Sequence, residues 1–386
     1  MASWNTWDWG SGTQADPYKV MSLKELKQLF ADTITNTDSF LAIYVEFATH
    51  DRQGNPIPVS ERIDDCRHNN WILESDGFKT YFSSSYTIKV YINGNGWTIL
   101  GVSLRRSNLI SATSTSSGGS PSYNKNHTVY IENLTFKNVY LQGSGRYSLL
   151  YVSGATVRVE ISNCKFSGII DNSGNSSFNT GEGNNVNNTI SGGVNVFTAC
   201  SFNFKFVAHF KLAHSATNGV PNTTEFNNCL FNFSGKYTGT TTESPGAPDY
   251  VYMYGAIMYF CKCQGQIIMD TNVGNLYLHM FFDYGGTLNV VDVDIRILDS
   301  LANYLKVFYR HSNNTSKDIF YVQPDKSYQY FVVDCKTNPA SFIRPTNRAQ
   351  LVDVSWLEDQ GFVVGSPPPY KWITQTKHIS YERRCA

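Results

Sequence analysis

A short pattern recurs along this chain at nearly regular intervals. In the copy "ISNCKF" from Ile161, apolar residues lie at the first, fourth and sixth positions, so strand alternation slips by one residue. Copies of the pattern begin between 29 and 42 residues apart. They are "ILGVSL" from Ile99, "IENLTF" from Ile131, "ISNCKF" from Ile161, "FTACSF" from Phe197, "FNNCLF" from Phe226, "MYFCKC" from Met258, "VVDVDI" from Val290 and "VVDCKT" from Val332. Such a repeat indicates units that bury their apolar faces only by stacking on one another.

The slip itself predicts a corner between two strands. One strand points the first residue of the pattern inward, the chain bends at the third, and the next strand restarts with the fourth and sixth inward. The corner residues are Gly101, Asn133, Asn163, Ala199, Asn228, Phe260, Asp292 and Asp334. Most are Gly, Asn or Asp, which adopt the left-handed backbone conformation readily. The pattern therefore predicts a parallel β-helix of about eight coils, with like residues stacked about 4.8 Å apart.

Cysteine is common at the position after the corner. This row is predicted to contain Val102, Leu134, Cys164, Cys200, Cys229, Cys261, Val293 and Cys335. Metal ligation and disulfides between coils are two interpretations, and the second fits the spacing of adjacent strands. The row interchanges Cys with Val and Leu, however, so we favour cysteine as a small buried apolar residue and predict no metal site and no cofactor.

The chain is predicted to divide into three segments. Residues 1–35 contain a short strand and a helix with a capping box at Ser22 and Glu25, which covers the first coil of the β-helix. Residues 36–340 form the β-helix, and 341–386 form a non-helical C-terminal extension that makes contacts. Trp4, Trp7 and Trp9 either help to cover the open end or anchor the protein to a larger assembly.

Three long polar insertions interrupt the repeats at 111–126, 171–189 and 234–248. Their Gly, Ser, Thr and Asn content predicts loops. We expect all three to leave the coil after the same strand pair, and hence to lie on one side of the stack. Recognition loops and simple drift in loop length are both open interpretations.

Charge and hydropathy exclude several classes of partner. Lys and Arg number 31, as do Asp and Glu, so the net charge is zero and gives no electrostatic support for nucleic acid binding. No apolar run approaches the 18 residues of a membrane span. The first residues, "MASWNTWDWGSG", lack a basic region followed by an apolar run, so we expect no signal peptide and assembly in a cytoplasm.

The coiled repeat, together with "INGNGWTILG" at 92–101 and the lead-in "GTQADPY", resembles right-handed parallel β-helix proteins. That group includes pectate lyases, polygalacturonases and bacteriophage tailspikes. The resemblance covers roughly residues 10–340 and implies the right-handed β-helix fold. Its motifs specify no reaction, because one fold supports many functions.

Glycoside hydrolysis requires a pair of acidic residues about 5–9 Å apart. Asp292 and Asp294 are the only pair within the repeats, and Asp292 is predicted to be a corner residue. Asp294 is predicted to lie between Lys262 and Lys336 on adjacent strands, as a surface charge pair does. Glu61, Asp64 and Asp65 precede the repeats, near His68, and favour a solvated turn. The sequence predicts no catalytic residues.

Outward positions of the first strand change in character along the stack. They are Thr98 and Leu100, Tyr130 and Glu132, Glu160 and Ser162, Glu225 and Asn227, then Ile257 and Tyr259, Val291, and Phe331 and Val333. The face becomes apolar near residue 257, and exposed apolar patches call for a cover. Either 340–386 folds over Ile257, Tyr259, Val291, Phe331 and Val333, or another subunit does. We favour a homo-oligomer, for which the tailspike resemblance suggests a trimer.

These observations favour a non-catalytic structural protein of a bacteriophage virion. A tail spike, head fibre or capsid-decorating component fits, with polar loops for contacts with other virion proteins or for receptor binding. The alternatives are a carbohydrate-active enzyme that depolymerises polysaccharide, and an adhesin that binds a host-surface glycan.

Overall fold

In a computed structural model, the chain is built mainly from parallel β-sheets. The structure describes residues 7–35, 40–69, 72–73, 76–83, 86–114, 127–142, 147–154, 157–171, 185–190, 193–207, 211–216, 223–237, 250–254, 257–271, 277–284, 287–291, 294–298, 304–306, 309–311, 318–322, 330–332 and 373–374.

Sheet 1 contains the first strand of each repeat. Its strands, in the order in which they are hydrogen-bonded, are β1 (Tyr18–Val20), β2 (Phe40–Phe47), β6 (Thr87–Asn93), β10 (His127–Glu132), β13 (Val157–Ser162), β16 (Val194–Thr198), β19 (Thr223–Asn227), β22 (Ile257–Cys261) and β25 (Thr287–Val291). All neighbours pair in parallel, and Ile92, Ile131 and Ile161 stand directly opposite one another.

Sheet 2 contains the strand that follows the corner. Its strands are β3 (Ile63–Asp65), β4 (Ile72–Leu73), β7 (Thr98–Leu100), β8 (Ser103–Arg105), β11 (Thr135–Gln142), β14 (Lys165–Asp171), β17 (Ser201–Val207), β20 (Leu230–Tyr237), β23 (Gln264–Thr271) and β26 (Asp294–Leu298). The inward row is largely phenylalanine. Phe136, Phe166 and Phe202 stack with ring centroids 5.3 and 5.4 Å apart, so each new strand extends the same buried column.

Sheet 3 completes each pass of the chain. Its strands are β5 (Phe78–Phe82), β9 (Ile110–Ser114), β12 (Ser148–Ser153), β15 (Asn185–Ile190), β18 (Lys211–Ala216), β21 (Tyr250–Tyr254), β24 (Tyr277–Tyr284), β27 (Tyr304–Lys306) and β28 (Tyr309–His311). From β10 to β26 the chain visits sheets 1, 2 and 3 in turn. Buried side chains from all three sheets belong to one hydrophobic cluster.

The last described strands do not continue this pattern. They are β29 (Asp318–Val322), β30 (Tyr330–Val332) and β31 (Ile373–Thr374), which form a separate antiparallel sheet. The prediction that Val332 begins another parallel pass is therefore wrong, because β30 pairs in the antiparallel direction with β29.

The predicted N-terminal helix is confirmed as α1 (Leu23–Leu29). The Glu25 backbone N–H donates to Ser22 Oγ (3.1 Å), and the Met21 N–H donates to the Glu25 carboxylate (2.6 Å). Leu23, Leu26 and Leu29 are buried and join the common core. The other helical segments in the described part of the chain are 3₁₀ turns at Val59–Glu61 and Cys66–Asn69.

The corner between sheets 1 and 2 is confirmed at three of the predicted asparagines. Asn133, Asn163 and Asn228 have φ angles of +58°, +50° and +52°. Ala199, which breaks the residue preference, adopts the same conformation with φ of +52°. The ladder continues through the bend, since the Asn163 N–H donates to the Thr198 carbonyl oxygen at 3.0 Å.

Two predicted corners are misplaced. Gly101 has a positive φ, but it separates β7 from β8 within sheet 2, and its N–H donates to the Lys137 carbonyl oxygen at 2.8 Å. The corner of that pass lies in 94–97, because Ile92 rather than Ile99 pairs with Ile131. In the later pass the corner lies two residues after the predicted one. Phe260 is still part of β22, and Lys262 has the left-handed conformation (φ +52°).

The buried row after the corner is corrected in the same two passes. It contains Trp97, Leu134, Cys164, Cys200, Cys229 and Cys263, all at most 3 % exposed. Cys263 therefore replaces Cys261, and Trp97 replaces Val102, which is buried within sheet 2 instead. The predicted members Val293 and Cys335, and the corners Asp292 and Asp334, lie outside the described residues.

The three insertions do not all leave the same strand pair. Residues 115–126 connect β9 of sheet 3 to β10 of sheet 1, whereas 172–184 and 238–249 connect strands of sheet 2 to strands of sheet 3. Thus two insertions arise at the same point of the pass and the first does not.

Candidate functional site: a tyrosine-lined groove on sheet 1

Three tyrosines form a stacked row on the outward face of sheet 1. Tyr44, Tyr91 and Tyr130 occupy the same position in β2, β6 and β10. Their ring centroids are 4.7 Å apart at both steps, with interplanar angles of 7° and 5°. This is the separation of neighbouring strands, so parallel pairing in register aligns the rings. Because the ring faces cover one another, the ring edges and hydroxyl groups are left for other contacts.

A second outward row runs beside the tyrosines, two residues further along each strand. It contains Glu46, Asn93, Glu132, Ser162 and Thr198, which stand in register on consecutive strands. The row thus presents a carboxylate, an amide, a second carboxylate and then two hydroxyl groups along the stack. Together with the tyrosine row and Glu160, they line a groove with a volume of about 410 Å³.

The N-terminal segment closes one end of this groove through Gln14 and Pro17. The loop before β1 is tight, because the Ser11 N–H donates to the Asp16 carbonyl oxygen at 3.0 Å. Gly10 has a φ of +95°, and a Cβ atom there would collide with the Pro17 carbonyl oxygen. The Tyr44 N–H donates to the Gly12 carbonyl oxygen (2.9 Å), so the loop is fixed to the strand that carries the first tyrosine.

The groove is acidic. Arg158 Nε lies 2.6 Å from the Glu160 carboxylate and forms an ion pair with it. Glu46 accepts a long contact from Asn95 Nδ2 at 3.5 Å. In the part of the chain that the structure describes, no Lys or Arg forms an ion pair with Glu46 or Glu132.

The interior cysteines have the environment of core residues. Cys200 Sγ lies 3.4 Å from the Ile161 carbonyl oxygen, and Cys229 Sγ lies 3.5 Å from that of Phe197. Burial raises the pKa of the Cys164 thiol, which therefore stays protonated. Metal ligation and redox exchange both use the thiolate, so these contacts favour packing. Among the described residues, no group of three or more His, Cys, Asp or Glu is arranged to hold a metal ion.

The acidic residues before the repeats have separate roles. Asp64 Oδ2 accepts a hydrogen bond from the Leu23 N–H at 2.7 Å, at the start of α1. Burial raises the pKa of Asp64, mainly through loss of solvation. Asp65 forms an ion pair with Arg67 at 2.6 Å. The predicted solvated turn is thus correct for Glu61, which is exposed in the 3₁₀ turn Val59–Glu61. It is wrong for Asp64 and Asp65, which are partly buried and belong to strand β3; the side chain of His68 lies outside the described residues.

The neighbours predicted for Asp294 also change. Register pairs Asp294 with Gln264, and Lys262 lies two residues earlier, at the corner. The predicted charge pair between Asp294 and Lys262 is therefore wrong. Lys336 lies outside the described residues.

Trp7 and Trp9 contact the N-terminal end of the molecule. Trp7 packs against the core, and its Nε1–H donates to the Lys19 carbonyl oxygen at 3.0 Å. The Arg52 guanidinium lies 4.7 Å from the ring centroid of Trp9. Such contacts are those of a covering segment; anchoring stays a prediction, and Trp4 lies outside the described residues.

For the residues of the predicted subunit interface, the structure gives the strands in which they lie but not their side chains. Ile257 and Tyr259 are in β22, and Tyr259 stands opposite Glu225. Val291 ends β25 and pairs with Cys261, so these three share sheet 1. Phe331 is in β30 and pairs with Tyr321, outside that sheet. The side chains of these residues, and Val333 altogether, lie outside the described part, so the interface remains a prediction.

Comparison of the chain with protein-family models, with curated proteins and with solved structures finds no match. Within the described residues, no helix is long and apolar enough to cross a membrane.

Proposed function

We propose that the chain is a non-catalytic structural protein of a bacteriophage particle, whose sheet 1 groove binds a glycan of the host surface. The observation that carries the proposal is the groove itself. Its tyrosine hydroxyls, carboxylates and amides form two regular rows on a rigid sheet. Glycans present hydroxyl groups at every sugar, and such side chains donate to or accept from them.

The scaffold in this proposal is a right-handed parallel β-helix. The single core shared by three parallel sheets supports closure of the sheets around one interior. The regular passage from sheet 1 to 2 to 3 supports a coil that repeats about every 30 residues, as does the resemblance of the repeats to tailspike-type proteins. A stack of this kind presents equivalent side chains at a constant spacing, which suits a polymeric ligand.

A binding experiment tests the glycan part. Immobilised bacterial surface polysaccharides would be screened with the wild-type protein, and the bound polysaccharide assayed for release of reducing ends. We expect retention without release. Release that is lost in Asp294→Asn would instead support the depolymerase alternative and overturn the non-catalytic proposal.

Matched tyrosine variants connect binding to the groove. Tyr130→Ala removes one member of the row, whereas Tyr81→Ala removes a half-buried tyrosine of β5 outside the groove. We expect the first to weaken binding about tenfold and the second to leave it unchanged. Equal effects of the two substitutions would contradict the assignment.

The particle part has its own test. Mass spectrometry of purified virions, from the phage that encodes the chain, would detect it and count its copies. A protein found only in the lysate of infected cells would overturn the virion proposal and leave glycan binding to be judged separately.

A further inference from the structure

We infer that the groove on sheet 1 prefers glycans that carry free amino groups. This inference rests on the proposed function and names the chemical class of its ligand. The groove has three carboxylates, on Glu46, Glu132 and Glu160, and no Lys or Arg is among the described residues that line it.

The carboxylates are not equivalent. Glu160 is neutralised by Arg158, whose Nε approaches it to 2.6 Å. Arg158 belongs to an outward row two residues before the tyrosine row, beyond the groove lining. Glu46 and Glu132 form no ion pair among the described residues, and Asn93 stands between them. Lys19 stands opposite Glu46 on β1, but its Nζ lies 3.2 Å from the Asp16 carboxylate instead. A protonated amine is the complement of both glutamates.

Their placement suits an elongated ligand. Glu46 and Glu132 are in β2 and β10, with Asn93 of β6 between them in register. Two strand spacings separate their Cα atoms by roughly 10 Å. An oligosaccharide lying along the stack would therefore meet two anionic points, with tyrosine hydroxyls and one amide between them.

A cationic peptide has the right charge but the wrong hydrogen-bonding groups. The floor of the groove is the face of a sheet whose backbone N–H and C=O groups are engaged with neighbouring strands. An extended peptide would leave its own backbone groups facing side chains only, and unsatisfied backbone groups are costly. Side chains alone can form hydrogen bonds with the hydroxyl and amino groups of a sugar. An aminosugar is therefore favoured over a peptide as the ligand.

The test compares ligands that differ in charge. Isothermal titration would use the hexamer of β-linked glucosamine, its fully N-acetylated counterpart and hexalysine. Wild-type protein is expected to bind the free-amine sugar at least tenfold more tightly than the acetylated one, and hexalysine more weakly than the free-amine sugar. High salt should reduce this preference, because exposed charges are screened.

Glutamate-to-glutamine substitutions remove a charge without changing the shape of the side chain. They therefore show which carboxylates cause the preference for the free-amine sugar. Glu132→Gln should weaken binding of the free-amine hexamer about fivefold, which corresponds to about 1 kcal/mol. Glu46→Gln with Glu132→Gln should weaken it about 20-fold, and neither should change the acetylated hexamer. Glu61→Gln makes the same charge change outside the groove lining and should have no effect.

The outcomes separate the two proposals. Equal affinity for both sugars, or no effect of the glutamine variants, overturns the charge preference and leaves glycan binding intact. Tighter binding of hexalysine overturns the aminosugar in favour of a basic peptide. Failure of every saccharide, including the surface polysaccharides, overturns the proposed function as well.

Discussion

The two faces of sheet 1 are built from alternate residues of the same strands, yet they obey different rules. Ile92 points inward, is 1 % exposed and stands between Val45 and Ile131 in a continuous apolar column. Tyr91 points outward, stacks between Tyr44 and Tyr130 and lines the groove. The inner face must fill space at every pass, whereas the outer face is free to vary. Chemistry that recurs on the outer face therefore points to function.

The inner face should give the largest loss of stability. Ile92→Ala removes buried methyl and methylene groups from a column whose neighbours have no room to collapse, so we expect a loss of about 2–5 kcal/mol in the free energy of unfolding. Urea denaturation measures it. Lys89→Ala, an outward change on the same strand, should cost less than about 1 kcal/mol. Similar costs for both would remove the distinction between the faces.

Substitutions at the corners should change stability by an intermediate amount, and they can lower or raise it. Asn163 and Ala199 occupy equivalent corners, with φ of +50° and +52°. Left-handed backbone is strained for alanine by roughly 1–2 kcal/mol. We therefore expect Asn163→Ala to lower stability by about 1 kcal/mol and Ala199→Gly to raise it by about 0.5–1 kcal/mol. Thermal unfolding would decide, and destabilisation by Ala199→Gly would argue against the corner assignment.

The smallest expected effect depends on pH and lies away from sheet 1, at the start of α1. Burial raises the pKa of Asp64, so the folded state binds this proton more tightly than the unfolded state. Its contribution to stability is greatest below the unfolded pKa and falls as pH rises towards the raised folded pKa. Asp64→Asn keeps an oxygen to accept from the Leu23 N–H and removes the charge.

Asp64→Asn should therefore gain less than about 1 kcal/mol relative to the wild type at pH 7, and the gain should shrink on acidification to pH 3. Urea titrations of both proteins at the two pH values measure the difference. Asp64→Ala is the matched variant that loses the hydrogen bond as well, and it should be less stable than Asp64→Asn at both. A gain for Asp64→Asn that grows towards acid would contradict the assigned direction.

Much of the interior could be predicted from the sequence. Asparagine at 133, 163 and 228 marked the corners because few other residues tolerate their backbone conformation, and the capping box marked α1. Ala199 and Lys262 carry no such preference in their side chains. Register was therefore ambiguous at "CKC", where Cys261 and Cys263 both fit an inward position.

The sequence pattern does not predict the groove, because its strand register is wrong in the pass that contains Tyr91. Gly101, in the break between β7 and β8, has the residue type and the positive φ of a corner, so the sequence pattern places Thr98 and Leu100 in the outward row of sheet 1. Tyr91 and Asn93 hold those positions. With "INGNGW" aligned to "IENLTF", the outward pairs Tyr91 and Asn93, then Tyr130 and Glu132, would have predicted part of both rows. Gln14 and Pro17 could not be predicted, because their place depends on the folded N-terminal loop.

The most direct test of recognition by the outward face compares neighbouring residues on opposite faces of sheet 1. It is the affinity of folded Tyr91→Ala for a polysaccharide that the wild type binds, with folded Ile92→Ala measured beside it. We expect a loss of about tenfold or more for Tyr91→Ala and no change for Ile92→Ala. Unchanged binding by Tyr91→Ala, in a protein that unfolds as the wild type does, would contradict the claim that the outward face of sheet 1 is the recognition surface.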